Sequence, residues 1–218
     1  MFYWVKTNAL IKKLFFRYVW DIPNDERIVY LTFDDGPTPQ VTEWVLSQLK
    51  KHHAEATFFC IGNNIEKHPD IYSKVILDGH SVGNHTFDHL NGWKTSKTEY
   101  LENVVLCEEK ILKFENVPDN FNKGAKLFRP PYGRTKHSQA KILREKGYQI
   151  IMWDVLSADF DRTIAPEQCL QNILKHVQPG SIIVFHDSVK AFPNLEYTLP
   201  RTLEFLKKNN YSCKAIRL

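Results

Sequence analysis

The chain has 218 residues, of which 43% are hydrophobic and 25% are charged, and 29 Lys and Arg against 25 Asp and Glu leave a formal net charge of +4. This composition is typical of a globular protein and excludes a disordered tail, a membrane bundle and a strongly cationic nucleic-acid-binding protein. The length fits one large α/β domain, which we expect to be monomeric and to bind no nucleic acid.

Residues 1–27 form an N-terminal segment rich in aromatic and basic side chains, ahead of a single predicted domain at residues 28–218. Basic residues interrupt every apolar run in its first part, so neither a transmembrane span of ~18 apolar residues nor a standard signal peptide is predicted. We therefore expect a protein of the cytoplasm or of the membrane periphery. Two interpretations of residues 1–20 stay open: an edge segment packed across the domain, which is favoured, and a basic amphipathic helix in weak contact with a membrane surface.

Short apolar runs alternate with amphipathic patterns along the rest of the chain. This alternation predicts a parallel sheet covered by helices, either open or closed into a barrel. In chain order, strands are predicted at residues 28–33, 56–61, 81–84, 127–128, 149–153, 181–185 and 213–216. Helices are predicted between them at residues 41–51, 63–77, 97–114, 138–146, 166–177 and 198–209.

Titratable or cationic side chains follow five of these seven strands. Because reactive groups in α/β folds lie at the carboxyl ends of strands, we expect these side chains to share one site. They are Asp34 and Asp35 after the first strand, His85 and His89 after the third, Arg129 after the fourth, Asp154 and Asp159 after the fifth, and His186 after the sixth.

Two of these groups have the residue types of a metal and proton-transfer centre. Asp34 and Asp35 are adjacent carboxylates before a Gly-Pro turn, so that one can hold a metal while the other handles protons. His85 and His89 are spaced i, i+4, which on a helical turn places both imidazoles on one face, as zinc sites require. Each group has a simpler explanation, a polar turn and a solvated histidine pair. Together they favour a divalent metal site.

Three stretches of sequence carry a resemblance to a known family. They are Thr-Phe-Asp-Asp-Gly-Pro at 32–37, His-Thr-Phe-Asp-His at 85–89 and Arg-Pro-Pro-Tyr-Gly at 129–133, with weaker matches at 153–160 and 182–186. The chain resembles polysaccharide deacetylases of the NodB-homology type, also called carbohydrate esterase family 4. The resemblance covers residues 28–216 and implies a distorted (β/α) barrel of about seven parallel strands with outer helices.

The resemblance also implies roles for the strand-end residues. Asp35, His85 and His89 would hold one divalent metal ion, with Zn²⁺ expected and Co²⁺ or another cation as the alternative. Asp34 would be the general base, which removes a proton from water. Arg129 would orient and tune that carboxylate, since its planar guanidinium can hold a carboxylate in one orientation.

Further roles concern the leaving group and the substrate. The backbone N–H of Tyr132 would help to stabilise the oxyanion, its ring would form part of the groove wall, and Pro130 would stiffen the loop. By the same resemblance His186 would be the general acid for the leaving amine, and Asp159 would be hydrogen-bonded to it. Ile182 would line a pocket for the acetyl methyl group.

The fourth motif departs from the family pattern. Leu156 stands where the family often has an aspartate, and Phe160 stands where it often has a tryptophan. Phe160 keeps an apolar wall at the groove but lacks the indole N–H. Asp154 is therefore an alternative to Asp159 as the partner of His186.

The function implied is that of a metal-dependent hydrolase that removes N-acetyl groups from the amino sugars of a polysaccharide or oligosaccharide and releases acetate. An O-acetyl esterase or another amide hydrolase on the same scaffold is the alternative, because an ester needs less help from an acid in leaving. A non-catalytic carbohydrate-binding relative is disfavoured, since no ligand or proton-transfer position is lost. The sequence leaves the identity of the polysaccharide open.

Overall fold

The computed structural model describes residues 3–113 and 125–218. Met1 and Phe2 of the N-terminal segment and Phe114, the last residue of a predicted helix, lie outside them. The described strands are β1 (Ile28–Asp34), β2 (Ala56–Cys60), β3 (Ser81–Asn84), β4 (Lys126–Phe128), β5 (Tyr148–Ile150), β6 (Val155–Leu156), β7 (Ile182–His186) and β8 (Ser212–Cys213). The described helices are α1 (Ala9–Leu14), α2 (Val41–Lys51), α3 (Gly62–Lys67), α4 (Pro69–Leu77), α5 (Lys97–Leu112), α6 (His137–Glu145), α7 (Pro166–Leu174) and α8 (Phe192–Lys208).

Seven of these strands form one parallel sheet that curls into a half-barrel surrounded by helices. The strand order is β5-β4-β3-β2-β1-β7-β6, and the short β8 pairs with the beginning of β1. The predicted α/β barrel of about seven parallel strands is thus confirmed. Because β1 lies between β2 and β7, the side chains at its carboxyl end stand at the middle of the sheet.

Alternate residues of β1 face opposite sides of the sheet, as the two-residue period of a strand requires. Leu31 and Phe33 are fully buried in the apolar layer that the sheet shares with α2, α4 and α8. Thr32 and Asp34 face the inside of the half-barrel, where both accept hydrogen bonds from Arg129. The packing of the apolar face therefore aims the polar face of β1 at the interior.

The strand predicted at residues 149–153 ends earlier than expected, and a short strand that the sequence did not predict follows it. β5 ends at Ile150, and β6 begins at Val155 on the opposite edge of the sheet. The N–H of Ile151 still bonds to β4, whereas the N–H of Asp154 bonds to β7. The chain between them crosses from one edge of the half-barrel to the other, a change of partner that an apolar run does not reveal.

Three differences concern helices. The helix α8 begins at Phe192, six residues before the start predicted for the last helix. The helix predicted at residues 63–77 is two helices, α3 and α4, because Pro69 lacks an N–H and disfavours the helical conformation at His68. The six-residue helix α1 was not predicted separately within the N-terminal segment. Among the described helices, none is both long and apolar enough to cross a bilayer.

The N-terminal segment lies along the crossing between β5 and β6. The N–H of Val19 donates to the carbonyl of Ile150 at 2.8 Å, and the N–H of Met152 donates to the carbonyl of Val19 at 2.7 Å. Further along, the N–H of Leu156 donates to the carbonyl of Val5 at 2.8 Å. The N-terminal segment therefore supplies backbone hydrogen-bond partners to the chain between β5 and β6 and to β6 itself.

The buried carboxylate of Asp154 also holds the N-terminal segment in place. Asp154 is fully buried and accepts hydrogen bonds from Lys6 at 2.6 Å, from Lys12 at 2.5 Å and from Ser181 at 2.6 Å. Lys12 also pairs with Asp21. Burial by itself would raise the pKa of Asp154, but the bonds from the two lysines hold it below its ordinary value, so the group is charged.

Candidate active site

The carboxyl ends of β1, β3, β4 and β7 meet at one end of the half-barrel. Strand register is the reason, because Asp34 pairs with His186, and the last residues of β3 and β4 pair with each other just before His85 and Arg129. Side-chain contacts form three groups at this end: Asp35, His85, His89 and Tyr132, then Asp34 with Arg129, and then Asp159 with His186. The adjacency of Asp34 and Asp35 and the pairing of Asp34 with His186 place the three groups side by side as one cluster. Of the residues predicted from sequence, this cluster contains Asp34, Asp35, His85, His89, Arg129, Tyr132, Asp159 and His186.

Asp34 lies almost completely buried beside the guanidinium of Arg129. The Nη1 group donates to Asp34 Oδ1 and to Thr32 Oγ1, both at 2.7 Å, and the remaining guanidinium donors bond to the carbonyls of Ile151 and Met152. Burial by itself would raise the pKa of Asp34, but the charge and hydrogen bond of Arg129, together with contributions from the neighbouring imidazoles, outweigh it and hold that pKa below its ordinary value. Asp34 is therefore an oriented carboxylate at neutral pH.

Asp35, His85 and His89 form a group whose ligand atoms all lie within 4.8 Å of one another. Asp35 Oδ1 is 3.3 Å from His89 Nε2 and 3.8 Å from His85 Nε2. This oxygen is buried and has no hydrogen-bond partner among the described residues. A buried polar atom without a partner costs free energy, so a cation between the three side chains would satisfy it.

The protonation of His85 and His89 suits this interpretation. His85 Nδ1 lies 2.8 Å from the carbonyl oxygen of Arg129, so Nδ1 carries the proton and Nε2 presents a lone pair. Burial lowers the pKa of His85 to about 4 and lowers that of His89 as well, which keeps both rings neutral. A lone pair that faces a carboxylate oxygen calls for a cation, and the three residues fit a small divalent ion.

His186 carries the opposite charge preference. Its Nδ1 lies 2.8 Å from Asp159 Oδ1, and its backbone N–H donates to Asp159 Oδ2 at 2.9 Å. Burial by itself would lower the pKa of His186, but the charge and hydrogen bond of Asp159, together with the charges of Asp35 and Asp34, overcome it and raise that pKa to about 9. The imidazole is therefore protonated at neutral pH. Asp154, the alternative partner, is bonded instead to the N-terminal lysines.

The predicted groove residues are not all at the site. Tyr132 is 52% exposed, and its ring lies 4.6 Å from that of His89. Phe160 packs edge-on against His186 with ring centroids 4.9 Å apart. The buried Pro130 accepts a hydrogen bond from Gly133, which closes the loop around Tyr132.

Ile182 is elsewhere, and here the expectation is corrected. It begins β7, four residues before His186, which at the rise of a strand is about 13 Å away. Its side chain is fully buried beside Phe59 and Ile151 inside the half-barrel. Val184 lies on the same face of β7, two residues closer to His186, and packs with Leu156 near Phe160. Matching a motif by spacing does not show how deep along a strand a side chain lies.

Two residues that hold the site in place received no role from the sequence. Asp187 is fully buried, accepts from the N–H of Gly36 at 3.0 Å and from the hydroxyl of Thr42 at 2.5 Å, and so fixes the turn after Asp35. A Cβ at Gly36 would lie 2.0 Å from this carboxylate, so only glycine fits there. The only signal was the neighbouring histidine in the His-Asp pair at 186–187.

Asn103 does the same for the histidine loop. Its Oδ1 accepts from the N–H groups of Phe87 and Asp88, between the two histidines, and its Nδ2 donates to the Asp88 carboxylate at 2.8 Å. An asparagine in the middle of α5 gave no sign of this function, because the contact joins residues 15 positions apart across two elements.

Residues with left-handed backbone conformations are concentrated at these strand ends. Asp35, Thr86, His89, Tyr132 and Ala158 all have φ between 56° and 85°. This conformation is unfavourable for side chains other than glycine, and it persists where surrounding contacts impose it, as at functional sites. The loops are therefore held in shapes that aim their side chains inward.

Comparisons with known proteins agree with this geometry. The polysaccharide deacetylase family model matches residues 21–151. A peptidoglycan-N-acetylglucosamine deacetylase of Bacillus cereus is 35% identical over 193 residues, which cover 88% of this chain and 87% of that protein. A chitooligosaccharide deacetylase of Azorhizobium caulinodans is 37% identical over 169 residues, which cover 76% of each chain.

Solved structures show the same fold. A peptidoglycan N-acetylglucosamine deacetylase in complex with 4-naphthalen-1-yl-N-oxidanyl-benzamide superposes with a TM-score of 0.83 at 30% identity, over 92% of this chain and 91% of that one. A pseudoenzyme of carbohydrate esterase family 4 from Bacillus anthracis superposes with a TM-score of 0.77 at 24% identity, over 90% of this chain and 66% of that one. Fold alone therefore does not establish catalysis, which depends on side chains. With more than half of the residues matched by the family model, the chain belongs to the polysaccharide deacetylases of carbohydrate esterase family 4.

Proposed function

We propose that the protein hydrolyses the N-acetyl groups of N-acetylglucosamine units in a polysaccharide or oligosaccharide and releases acetate. The observation that carries the proposal is one cluster that holds an ionised carboxylate, a protonated imidazole and a three-residue cation site. The relatives described above supply the substrate class, because their names place the acetyl group on N-acetylglucosamine or on a chitooligosaccharide.

The reaction breaks the amide C–N bond and adds water across it. Asp34 is placed to accept the proton that water loses on attacking the acetyl carbon, because it is ionised and held in one orientation by Arg129. The ion pair also prevents the carboxylate from rotating away. We therefore assign Asp34 as the general base and Arg129 as the residue that orients it.

The nitrogen of the amide must leave as an amine and needs a proton. His186 ends the strand next to that of Asp34 and carries a proton at neutral pH, so it is placed to donate it. Asp159 stabilises the imidazolium and fixes the ring. The alcohol of an ester leaves with less need of a proton donor than the amine of an amide. The presence of a protonated imidazole therefore favours an amide substrate over an O-acetyl ester.

Asp35, His85 and His89 would hold the metal ion. A divalent cation bound there would lower the pKa of water and polarise the acetyl oxygen. Two imidazole nitrogens and one carboxylate oxygen form a ligand set that Zn²⁺ accepts readily, so we propose Zn²⁺, with Co²⁺ as the alternative. The backbone N–H of Tyr132 would bond to the oxyanion beside it, and the exposed ring of Tyr132 would contact the sugar.

Acetate release from soluble chitin oligomers, peptidoglycan fragments and acetylated xylan tests the proposal. The protein is first stripped with a chelator and then reconstituted with Zn²⁺ or Co²⁺. We expect acetate from the first two substrates only, and only after metal is restored. Acetate from xylan alone would replace the proposal with the esterase, and acetate from none would leave a carbohydrate-binding protein.

The matched variants for this assay are His85→Ala and His137→Ala. His85→Ala should lose bound metal and activity together, because it removes a ligand with no replacement among the described residues near it. His137→Ala removes an exposed histidine at the start of α6 and should change neither. Full metal content in His85→Ala would refute the ligand assignment.

A further inference from the structure

The N-terminal segment presents an apolar surface that the proposed catalysis does not use. We call residues 10–17 the apolar tip. Three of its side chains are among the most exposed large apolar groups of the described residues: Leu10 at 71%, Leu14 at 67% and Phe16 at 73%. Phe15 beside them is 43% exposed. None of the residues of α1, which forms most of the tip, is buried.

The tip is held by specific contacts on its inner side. Asn8 caps α1 by accepting from the N–H of Leu10 at 2.8 Å. Lys12 turns inward to the buried carboxylate of Asp154. After the helix, Trp20 Nε1 donates to the carbonyl of Phe15 at 3.1 Å. Because these contacts fix the segment, its outward face is a defined surface.

The charged residues of the apolar tip indicate what kind of partner it binds. Lys13 and Arg17 are exposed, and residues 10–17 include no acidic residue. The guanidinium of Arg17 lies 5.6 Å from the ring of Phe16, and that of Arg144 lies 5.9 Å from the ring of Tyr18, just past the tip. Apolar side chains flanked by cations match the boundary between acyl chains and anionic headgroups.

We propose that the apolar tip docks the protein onto a membrane that contains anionic phospholipids. Leu10, Leu14 and Phe16 enter the boundary between headgroups and acyl chains, and Lys13 and Arg17 contact the lipid phosphates. The contact is peripheral and reversible, because only a few side chains are inserted. The proposal goes beyond the deacetylase reaction and is independent of it.

A second copy of the chain fits this surface less well. In a two-fold dimer the same patch faces itself, which would bring Lys13 and Arg17 of one copy close to those of the other without an acidic partner from the tip. Like charges across an interface oppose association. An anionic bilayer, by contrast, complements the cations and the apolar side chains at once.

Vesicle sedimentation with the full chain tests the proposal. Wild-type protein is mixed with vesicles of phosphatidylcholine, with or without phosphatidylglycerol, at about 0.05 and about 0.5 M NaCl. We expect binding to the anionic vesicles that is at least about tenfold stronger than binding to neutral ones and that weakens with salt. Equal binding to both kinds of vesicle, or to neither, would overturn the proposal.

Two variants of the tip separate its apolar and cationic contributions. The triple variant L10S/L14S/F16S should lower the affinity for anionic vesicles by about a hundredfold or more, because the inserted side chains are lost. The double variant K13Q/R17Q should lower it roughly 30-fold, since each cation near the surface contributes about 1 kcal/mol. Unchanged binding by either variant would refute the assignment to the tip.

Each variant has a matched control elsewhere on the surface. Leu77→Ser removes a side chain that is 71% exposed at the end of α4, and K50Q/K51Q removes the same charge from exposed positions of α2. Both should bind vesicles like the wild type. Acetate release from a soluble oligomer should be the same in all five proteins, which separates failure to dock from failure of the proposed reaction.

Two further measurements distinguish a membrane from two other possible partners of the apolar tip, a second copy of the chain and peptidoglycan. Sedimentation velocity should show a monomer for both the wild type and the triple variant. A wild-type dimer that the triple variant dissociates would overturn the proposal in favour of a self-interface. Co-sedimentation with insoluble peptidoglycan should be unaffected by the triple substitution, and a loss there without a loss on vesicles would assign the tip to the polysaccharide instead.

Discussion

Asp34 and His186 end neighbouring strands in register, yet they are held in opposite protonation states. Arg129 is fully buried and keeps Asp34 ionised, while Asp159 keeps His186 protonated. Burial opposes the shift in both groups, and the ion partner of each, together with smaller contributions from its neighbours, drives the two pKa values apart. At neutral pH the site thus contains an ionised carboxylate and a protonated imidazole, which are the states that the proposed base and acid require.

The base assignment predicts the behaviour of Asp34→Asn. An amide cannot accept the proton from water, so kcat should fall by about 100-fold or more while the metal content stays near that of the wild type. Acetate release and elemental analysis of the purified variant measure the two quantities. A variant only about twofold slower would exclude Asp34 as the base.

The acid assignment predicts a pH dependence. His186 must be protonated to act, and its pKa of about 9 means that activity should decline as the pH rises through that value. In Asp159→Asn the pKa should move down towards the ordinary value near 6.5, so the alkaline limb of the kcat/KM profile should shift to lower pH. Asp161→Asn is the control, because Asp161 bonds to Tyr3 and Thr163. An alkaline limb unchanged in Asp159→Asn would contradict the pairing.

At the scale of elements, the N-terminal segment and the crossing between β5 and β6 depend on each other. The segment supplies backbone partners to the crossing, and the crossing supplies Asp154, which neutralises Lys6 and Lys12. An ion cluster of this kind specifies one position for the segment. The carboxylate of Asp154, between β5 and β6, therefore orients the apolar tip.

Asp154→Asn should loosen that attachment. The variant leaves the partly buried Lys6 without a countercharge and leaves Lys12 with Asp21 alone. We expect a loss of about 2 kcal/mol in the free energy of unfolding, less than for a fully buried pair because both lysines retain contact with water. Hydrogen exchange at the amides of Thr7, Val19 and Leu156 should accelerate. Asp21→Asn, which affects only Lys12, should have a smaller effect. Equal protection in both variants and the wild type would refute the role of Asp154.

For the whole molecule, buried neutral histidines determine how stability responds to acid. His80 is only 3% exposed and accepts a hydrogen bond from the N–H of Ala56 at 3.3 Å. Burial lowers its pKa to about 4. The folded state therefore disfavours protonation, and its stability is fully present above the unfolded value near 6.5 and is lost as the pH falls from there towards 4.

Urea unfolding of metal-free protein at a series of pH values tests this dependence. His80 alone should account for a fall of about 3 kcal/mol in the free energy of unfolding between pH 6.5 and 4. His80→Gln should lower stability at pH 7 and flatten the dependence, because glutamine does not titrate. His137→Gln should leave the curve unchanged. A curve for His80→Gln as steep as that of the wild type would exclude His80 as the source.

The sequence by itself determined the strand-and-helix order and the positions of Asp34, Asp35, His85, His89, Arg129 and His186 at strand ends. Local patterns suffice for this, because a parallel sheet places all carboxyl ends at one edge whatever its exact register. Only the tertiary structure decided that Asp159 rather than Asp154 bonds to His186, that Ile182 lies deep in the half-barrel, and that Asp187 and Asn103 brace the loops. Each of these depends on strand register or on contacts between distant elements. The placement of β6 on the opposite edge of the sheet from β5 and the attachment of the N-terminal segment were likewise decided only by the tertiary structure. The hydrogen-bond partners of those residues are remote in sequence.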